Sequence, residues 1–297
     1  MGQITKGDIP QGLIAGLQTA FQKAYARPTL QWQRIATVVP SNKASETYAW
    51  LGQAPSMREF GAERIPKGLS EYSYTITNKK YENSIRIDRE ALEDEQYGQL
   101  RVRVEELADK AARHPEKLVF ELLSDGFTNL AYDGQFYFDT DHSEGASGTQ
   151  SNKGTSAFSS TTYQTARTAI AGYKDDAGEL LGLAGDLLVV PPGLEGTARN
   201  LLNADFVSDG TTTVSNIWKS SSDMIVAPFL KDTNDWFLLV TNGVMKPIIF
   251  QDRTPVEFTR LEQDSETGFM KDAWLYGTRR RCNVGYGDWR MGYGAAV

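Results

Sequence analysis

Residues 41–88 read SNKASETYAWLGQAPSMREFGAERIPKGLSEYSYTITNKKYENSIRID and contain two β patterns on either side of a long irregular segment. Large apolar side chains occupy alternate positions in both patterns and give each an apolar face: Tyr48, Trp50, Tyr72, Tyr74 and Ile76. A two-stranded hairpin by itself is marginal in water because it has no second layer to cover such a face. We therefore predict that this ribbon lays its apolar face on another subunit.

The irregular segment, residues 52–68, contains two prolines and three large apolar side chains, Met57, Phe60 and Ile65. A loop of this length is usually either functional or disordered. Two interpretations stay open: the segment folds back on its own domain, or it contacts a neighbouring subunit. We favour the second, so these three side chains join the interface candidates of the ribbon.

Two helices are predicted from apolar stripes outside this region. Apolar residues at a spacing of four predict a short amphipathic helix from Leu13 to Tyr25. A second amphipathic pattern runs from Tyr97 to Asp125, which corresponds to about 43 Å at 1.5 Å per residue. Pro115 lies within it and is expected to produce either a kink or a fresh start.

The second half of the chain reads as a mixed α/β region. Residues 144–160 are nearly all small and polar, which predicts a low-complexity surface loop. Asn242-Gly243 is a strong tight-turn signal. The other expected elements are a helix from Thr161 or Thr162 to Tyr173, a buried strand at Leu187–Val190, a short helix near 194–202, strands at Met224–Val226 and Trp236–Val240, and a second long hairpin between Val256 and Tyr276.

Composition excludes several classes of protein. The 31 Lys and Arg against 38 Asp and Glu give a net charge of −7, which disfavours a protein that wraps nucleic acid by neutralising phosphates. No stretch approaches the roughly 20 apolar residues of a membrane-spanning helix. A lone cysteine, Cys282, with only His114 and His142 beside it, cannot build a Cys/His structural zinc site.

The densest group of reactive side chains is Asp139, Asp141 and His142. Such residues can ligate a divalent ion or form an acid and base pair. The calcium-loop pattern fails, because Gly145 comes one residue late and Gln150 stands where the bidentate Glu should be. We interpret the two aspartates as turn residues that accept hydrogen bonds from backbone amides. A metal-dependent hydrolase that uses these three residues is the alternative.

Three consecutive arginines, Arg279, Arg280 and Arg281, lie in the second strand of the late hairpin. They cannot all point the same way, because successive side chains of a strand alternate between its faces. Pairing with another subunit is the favoured interpretation. Solvated strand edges and contact with DNA are the alternatives.

The order of these elements resembles the Mu-like major head subunit family of tailed phages, which has the Hong Kong 97 capsid fold. The resemblance extends over essentially the whole chain. Its most specific motifs are Trp50-Leu51-Gly52 to Glu59, Tyr72-Ser73-Tyr74-Thr75-Ile76 with Asn78-Lys79-Lys80, Asp88-Arg89, and Phe138-Asp139-Thr140-Asp141-His142.

The resemblance implies an α+β fold of the Hong Kong 97 type and a division of the chain into named parts. These are an N-terminal arm (1–40), an extended loop (41–88), a peripheral domain with a long spine helix (89–160), an axial domain (161–250), a returning β-hairpin of the peripheral domain (251–281) and a C-terminal strand of the axial domain (282–297).

The same resemblance implies a major capsid protein of a tailed bacteriophage. Such a protein is not an enzyme and needs no cofactor or metal. It assembles in the host cytoplasm into hexamers and pentamers of an icosahedral virion shell, with a scaffold, a portal and a decoration protein as further partners. Packaged double-stranded DNA makes weak contact with the inner face, and no membrane is involved. A cellular nanocompartment shell of the same fold is the close variant.

Overall fold

The computed structural model describes residues 11–51, 71–88, 97–208, 213–261 and 273–297. Their helices are α1 (Gln11–Tyr25), α2 (Tyr97–Ser124), α3 (Ser160–Ala171) and α4 (Glu195–Asn203). Their strands are β1 (Ala36–Pro40), β2 (Ser45–Leu51), β3 (Glu71–Thr77), β4 (Lys79–Asp88), β5 (His142–Ser143), β6 (Thr149–Gln150), β7 (Lys153–Gly154), β8 (Leu187–Val190), β9 (Phe206–Ser208), β10 (Thr213–Ser215), β11 (Asp223–Val226), β12 (Trp236–Leu239), β13 (Ile248–Leu261), β14 (Ala273–Tyr286) and β15 (Gly292–Ala295).

The described residues divide into two compact units. The first holds those within 1–30, 78–116 and 252–282, and the second holds those within 31–77, 117–251 and 283–297. The chain therefore passes between the units several times, and α2, β13 and β14 each contribute residues to both. None of the helices in the described part of the chain is long and apolar enough to span a membrane.

In the first unit, helices pack on a sheet in which β14 lies between β13 and β4. The predicted stripes of α1 and α2 are confirmed, because Phe21 and Val104 lie in one buried cluster. The rings of Phe21 and Phe258 stack at 4.5 Å and join α1 to β13. The predicted late hairpin is present as β13 and β14, and β14 pairs antiparallel with β4.

Helix α2 continues through Pro115 as one helix of 28 residues, so the expected break is not a fresh start. Proline removes one backbone hydrogen bond from a helix interior. The apolar stripe continues on both sides of it: Leu100, Val104, Leu107 and Ala108 are buried before the proline, and Val119, Phe120 and Leu123 after it. We infer that the burial of this stripe outweighs the lost hydrogen bond.

In the second unit, a five-stranded sheet has the order β11-β8-β12-β15-β7. The predicted mixed sheet is confirmed, because β8 pairs parallel with β11 and antiparallel with β12. All four residues of β8 are fully buried, as their continuous apolar run predicted. The last strand, β15, is an interior strand of this sheet.

One expectation for this unit is wrong. Residues 144–160 are not simply a surface loop: they supply β6 and β7, and Glu144 and Asn152 are buried. Their polar composition conceals this because each buried side chain has hydrogen-bond partners. The chain bends at Asn242-Gly243, but the strands on either side are not paired, since β12 pairs with β8 and β15 while β13 lies in another sheet.

Helix α3 begins at Ser160, one or two residues earlier than predicted, and a capping box explains the difference. Ser159 Oγ accepts a hydrogen bond from the amide of Thr162, and Thr162 Oγ1 accepts one from the amide of Ser159. The buried face of the helix carries Tyr163, Ala166 and Ile170.

Close packing against Phe138 leaves no room for side chains on two glycines of the second unit. A Cβ on Gly294 in β15 would lie 2.8 Å from the Phe138 ring, and a Cβ on Gly126 would lie 2.7 Å from it. Phe138 itself is fully buried. The ring therefore packs directly against the backbone at Gly126 and Gly294.

We predict that Gly294→Ala lowers the free energy of unfolding by about 1–3 kcal/mol, because the added methyl overpacks the site of Phe138. Gly196→Ala is the matched control: Gly196 lies in α4 of the same unit with no atom within 4 Å of a Cβ. There alanine should stabilise the helix by up to about 1 kcal/mol. Urea unfolding of unassembled subunits measures both, and equal effects of the two substitutions would contradict the packing argument.

Candidate subunit interface

The predicted ribbon is present as strands β2 and β3, which pair antiparallel over seven residues each. The register pairs Tyr48 with Tyr74 and Trp50 with Tyr72. Directly opposed residues of an antiparallel pair share a face, so the two predicted apolar patterns form one surface. Met57, Phe60 and Ile65 lie outside the described residues.

The base of the ribbon is joined to its own unit by hydrogen bonds from β13 and β14. The hydroxyl of Tyr48 donates to Gln251 Oε1 at 2.9 Å, and Gln251 Nε2 donates to the carbonyl of Ile76 at 3.3 Å. Asn283 Nδ2 donates to the carbonyl of Thr77 at 2.7 Å. Gln251 is fully buried and contacts both strands of the ribbon.

The inner face of β3 packs on β14 at Gly285. A Cβ on Gly285 would lie 2.4 Å from Ile76 Cδ1 and 2.9 Å from the ring of Tyr74, so only glycine admits this approach. Ile76 is 3% exposed, and the hydroxyl oxygen of Tyr74 accepts a hydrogen bond from the amide of Tyr286 at 3.2 Å. This part of the ribbon is thus packed within its own chain.

The expectation that the whole apolar face lacks a partner in its own chain is therefore wrong for Ile76 and Tyr74. Tyr48 also has a partner in its own chain, because its hydroxyl donates a hydrogen bond to Gln251. The glycine that receives them is about 200 positions away in sequence, so local patterning gives no sign of it. The interface prediction is kept for the other end of the ribbon, where Trp50 pairs with Tyr72.

The phenol groups of Tyr48 and Tyr74 in the ribbon stay protonated because their surroundings disfavour the charged form. Burial raises the pKa of Tyr48 to about 12, and repulsion by Glu46 acts in the same direction. Burial likewise raises the pKa of Tyr74. Both phenols therefore remain neutral at physiological pH.

The turn before β2 is organised by Glu46. One carboxylate oxygen, Oε1, accepts hydrogen bonds from Ser41 Oγ at 3.0 Å, the amide of Asn42 at 3.1 Å and the amide of Lys43 at 3.2 Å. The amide of Asn42 is the main cause that lowers the pKa of Glu46. This arrangement determines where the chain enters the ribbon.

The three arginines alternate between faces as predicted. Arg279 is exposed and lies 3.9 Å from Glu257, whereas Arg280 is 9% exposed and pairs with Asp252 at 3.3 Å. Arg281 is half-buried. The guanidinium of Arg280 therefore forms an ion pair within its own unit. The interface prediction is kept for Arg279 and Arg281.

The turn interpretation is confirmed for Asp139, which accepts hydrogen bonds from the amides of Thr140 at 2.8 Å and Phe136 at 3.3 Å. Asp141 is exposed. His142 points elsewhere: it is fully buried, and both ring nitrogens contact other residues. Over the described ranges, no three His, Cys, Asp or Glu side chains group closely enough to hold a metal ion. The geometry therefore does not favour the hydrolase alternative.

We predict that Gly285→Ala lowers the free energy of unfolding by about 1–3 kcal/mol, because the methyl displaces Ile76. Ile76→Ala alone leaves a cavity and should cost about 2–5 kcal/mol. In the double variant the smaller side chain makes room for the methyl, so the combined loss should be smaller than the sum. Urea unfolding of the four proteins measures this coupling, and losses that add within about 0.5 kcal/mol would show that the two residues are not in contact.

Comparison with known proteins places these features in a family. The model of the Mu-like prophage major head subunit gpT family matches residues 11–163, 155–230 and 231–296. The chain is 32% identical over 289 residues to the Mu-like prophage FluMu major head subunit of Haemophilus influenzae, covering 96% of this chain and 72% of that protein. It is 29% identical over 297 residues to the major capsid protein of Escherichia phage Mu, covering 74% of this chain and 97% of that protein.

Solved capsids share the fold. The procapsid of bacteriophage JBD30 superposes with a TM-score of 0.58 at 30% identity, over 97% of this chain and 76% of that chain. A virus-like particle from Pyrococcus furiosus has a TM-score of 0.58 at 8% identity, over 95% of this chain and 98% of that chain, which speaks to the fold alone. The α+β capsid fold of the Hong Kong 97 type is thereby confirmed. The chain belongs to the Mu-like prophage major head subunit gpT family.

Proposed function

We propose that this major capsid protein of a tailed phage builds an icosahedral shell of hexamers and pentamers, and that the distal end of the β2–β3 ribbon carries a contact between subunits. The observation that carries the proposal is the fixed base of the ribbon, at Gln251 and Gly285, combined with an apolar sequence beyond it. Similar chains occur in assembled capsids, among them that of bacteriophage JBD30.

A fixed base helps the distal end to bind. Ordering a flexible segment on association costs free energy, so a ribbon whose start is already held by hydrogen bonds pays less of that cost. Trp50 and Tyr72 with Met57, Phe60 and Ile65 supply large apolar side chains of the kind enriched at interface centres. Obligate interfaces commonly bury more than about 2,000 Å², and a projecting ribbon is one way to reach that area.

The negative net charge of the chain supports a shell that encloses DNA rather than a protein that condenses DNA by neutralising it. The net charge is −7, whereas packaging by charge neutralisation calls for a positive surface. Contact with packaged double-stranded DNA is therefore weak and local.

Protein partners are a separate part of the proposal. Arg279 and Arg281 pair with another subunit. A scaffold, a portal and a decoration protein are the further partners of a shell assembled in the host cytoplasm.

The division into two compact units supports an assignment of the chain to a peripheral and an axial domain. We assign the first unit, with most of α2 and the β13–β14 hairpin, to a peripheral domain and the five-stranded sheet of the second unit to an axial domain. The extended loop of 41–88 then has residues 41–51 and 71–77 in the second unit and 78–88 in the first.

A cellular nanocompartment of the same fold is the alternative function, and it differs from a phage capsid in its cargo. The nucleic acid or protein content of purified particles therefore separates the two functions.

We predict that Phe60→Asp, or replacement of residues 53–67 by a short Gly-Ser linker, leaves a folded subunit that forms at least about tenfold fewer shells, because a charge cannot enter an apolar contact. Phe60→Leu is the matched control and should still assemble. Electron microscopy counts the particles, and scattering detects a free subunit with a radius of gyration of about 19 Å. Normal shell yield from Phe60→Asp would refute the interface.

A structural protein without catalytic residues should tolerate loss of Asp141. We predict that Asp141→Ala changes the free energy of unfolding by less than about 0.5 kcal/mol, because the side chain is exposed. Shell yield should be unchanged, with or without a metal chelator. A hydrolytic activity that the substitution abolishes would support the enzyme alternative instead.

A further inference from the structure

His142 is a fully buried imidazole held between two hydrogen-bond acceptors in the second unit. Its Nδ1 lies 2.6 Å from Asp133 Oδ2, and its Nε2 lies 3.2 Å from Asn152 Oδ1. The side chain of Asp133 is 4% exposed. A carboxylate accepts hydrogen bonds and donates none, so Nδ1 must carry a proton.

The orientation of the Asn152 amide is determined by its other partners. Its Nδ2 donates to the carbonyls of Tyr137 at 2.7 Å and Trp289 at 3.1 Å, and its Oδ1 accepts from the amide of Asp139 at 2.8 Å. A flipped amide would set its oxygen against two carbonyls and its nitrogen against an N–H group. Asn152 therefore presents an oxygen to His142, and Nε2 must carry a proton as well.

Neighbouring groups favour a positive charge at this position. The indole of Trp289 stacks on the imidazole with ring centroids 4.1 Å apart and planes 5° apart. Indole faces attract cations. The Arg290 guanidinium also lies 4.5 Å from the Trp289 ring and repels a second cation, so the contact of His142 with Asp133 is the main source of stabilisation. The Nε1 of Trp289 donates to Glu144 at 2.9 Å, and Tyr173 meets the indole edge-on.

The charge count around the ring points the same way. Three carboxylates, Asp133, Glu144 and Asp288, are each at most 10% exposed, and Arg290 pairs with two of them at 3.1 and 3.3 Å. A neutral His142 would leave Asp133 as the one of these three carboxylates without a cation beside it. Uncompensated buried charge is costly, and an imidazolium next to Asp133 compensates it.

We propose that His142 is a doubly protonated imidazolium in the folded subunit and that its two N–H groups hold Asp133 and Asn152 together. Asn152 directly precedes β7, and the amide of Gly294 in β15 donates to the Asn152 carbonyl at 3.0 Å. Removing the proton would set a lone pair against Asp133 or Asn152. The second unit should then lose stability next to β7, the edge strand that follows Asn152.

The protons themselves provide the test. The chain has two histidines, His114 and His142, so shells labelled with ¹⁵N-histidine give two imidazole spectra, and His114→Gln assigns them. His114 belongs to the first unit, where its ring contacts that of Tyr81 with centroids 4.3 Å apart, and His142 belongs to the second unit. At about pH 8, where a free imidazole is neutral, both nitrogens of His142 should be protonated in solid-state NMR. A bare nitrogen on His142 would overturn the proposal, whatever any variant does.

Discussion

The close approach of residues 283–297 to the rest of the second unit is the constraint on which its parts depend. This segment contributes Gly285 beneath the ribbon, Arg290 within the charged cluster and strand β15 in the middle of the sheet. Side chains at Gly285 and Gly294 would overlap Ile76 and Phe138. The ribbon, the cluster and the sheet are thus positioned by one stretch of backbone, and a shift in it would move all three together.

Position and charge are coupled in this arrangement. Arg290 in the C-terminal segment donates to the carbonyl of Lys174 at 2.9 Å and pairs with Glu144, so it joins two separate loops to the strand that follows it. Buried ion pairs contribute little net stability compared with apolar residues of the same volume, but they tolerate few alternative arrangements. We infer that this cluster determines the register of β15, because three of its four residues are Gly or Ala and hold the strand weakly against Trp236 and its neighbours.

Elements whose signal is local could be predicted from sequence, and elements that depend on distant partners could not. The burial of β8 and of one face of α2 could be predicted, because the apolar run of the strand and the helical period of the apolar stripe indicate it directly. Alternation also predicted which residues of β2 and β3 share a face, whereas the register that pairs Tyr48 with Tyr74 comes from the structure. The packing of Ile76 on Gly285 could not be predicted, since a glycine carries no side chain to mark a contact site. Buried Asn152 was hidden for a related reason: polar composition indicates a surface until its partners are known.

The same distinction explains why the family is easier to recognise than the interface. Family membership rests on motifs spread over the chain, whereas an interface depends on surfaces that two copies create together. Within one subunit, hydrogen bonds to Gln251 and Asn283 already satisfy the backbone at the start of the ribbon. Beyond that point its apolar side chains can gain free energy by burial on a neighbour without giving up contacts at the base. A shell subunit can therefore be stable alone and still retain a driving force for assembly.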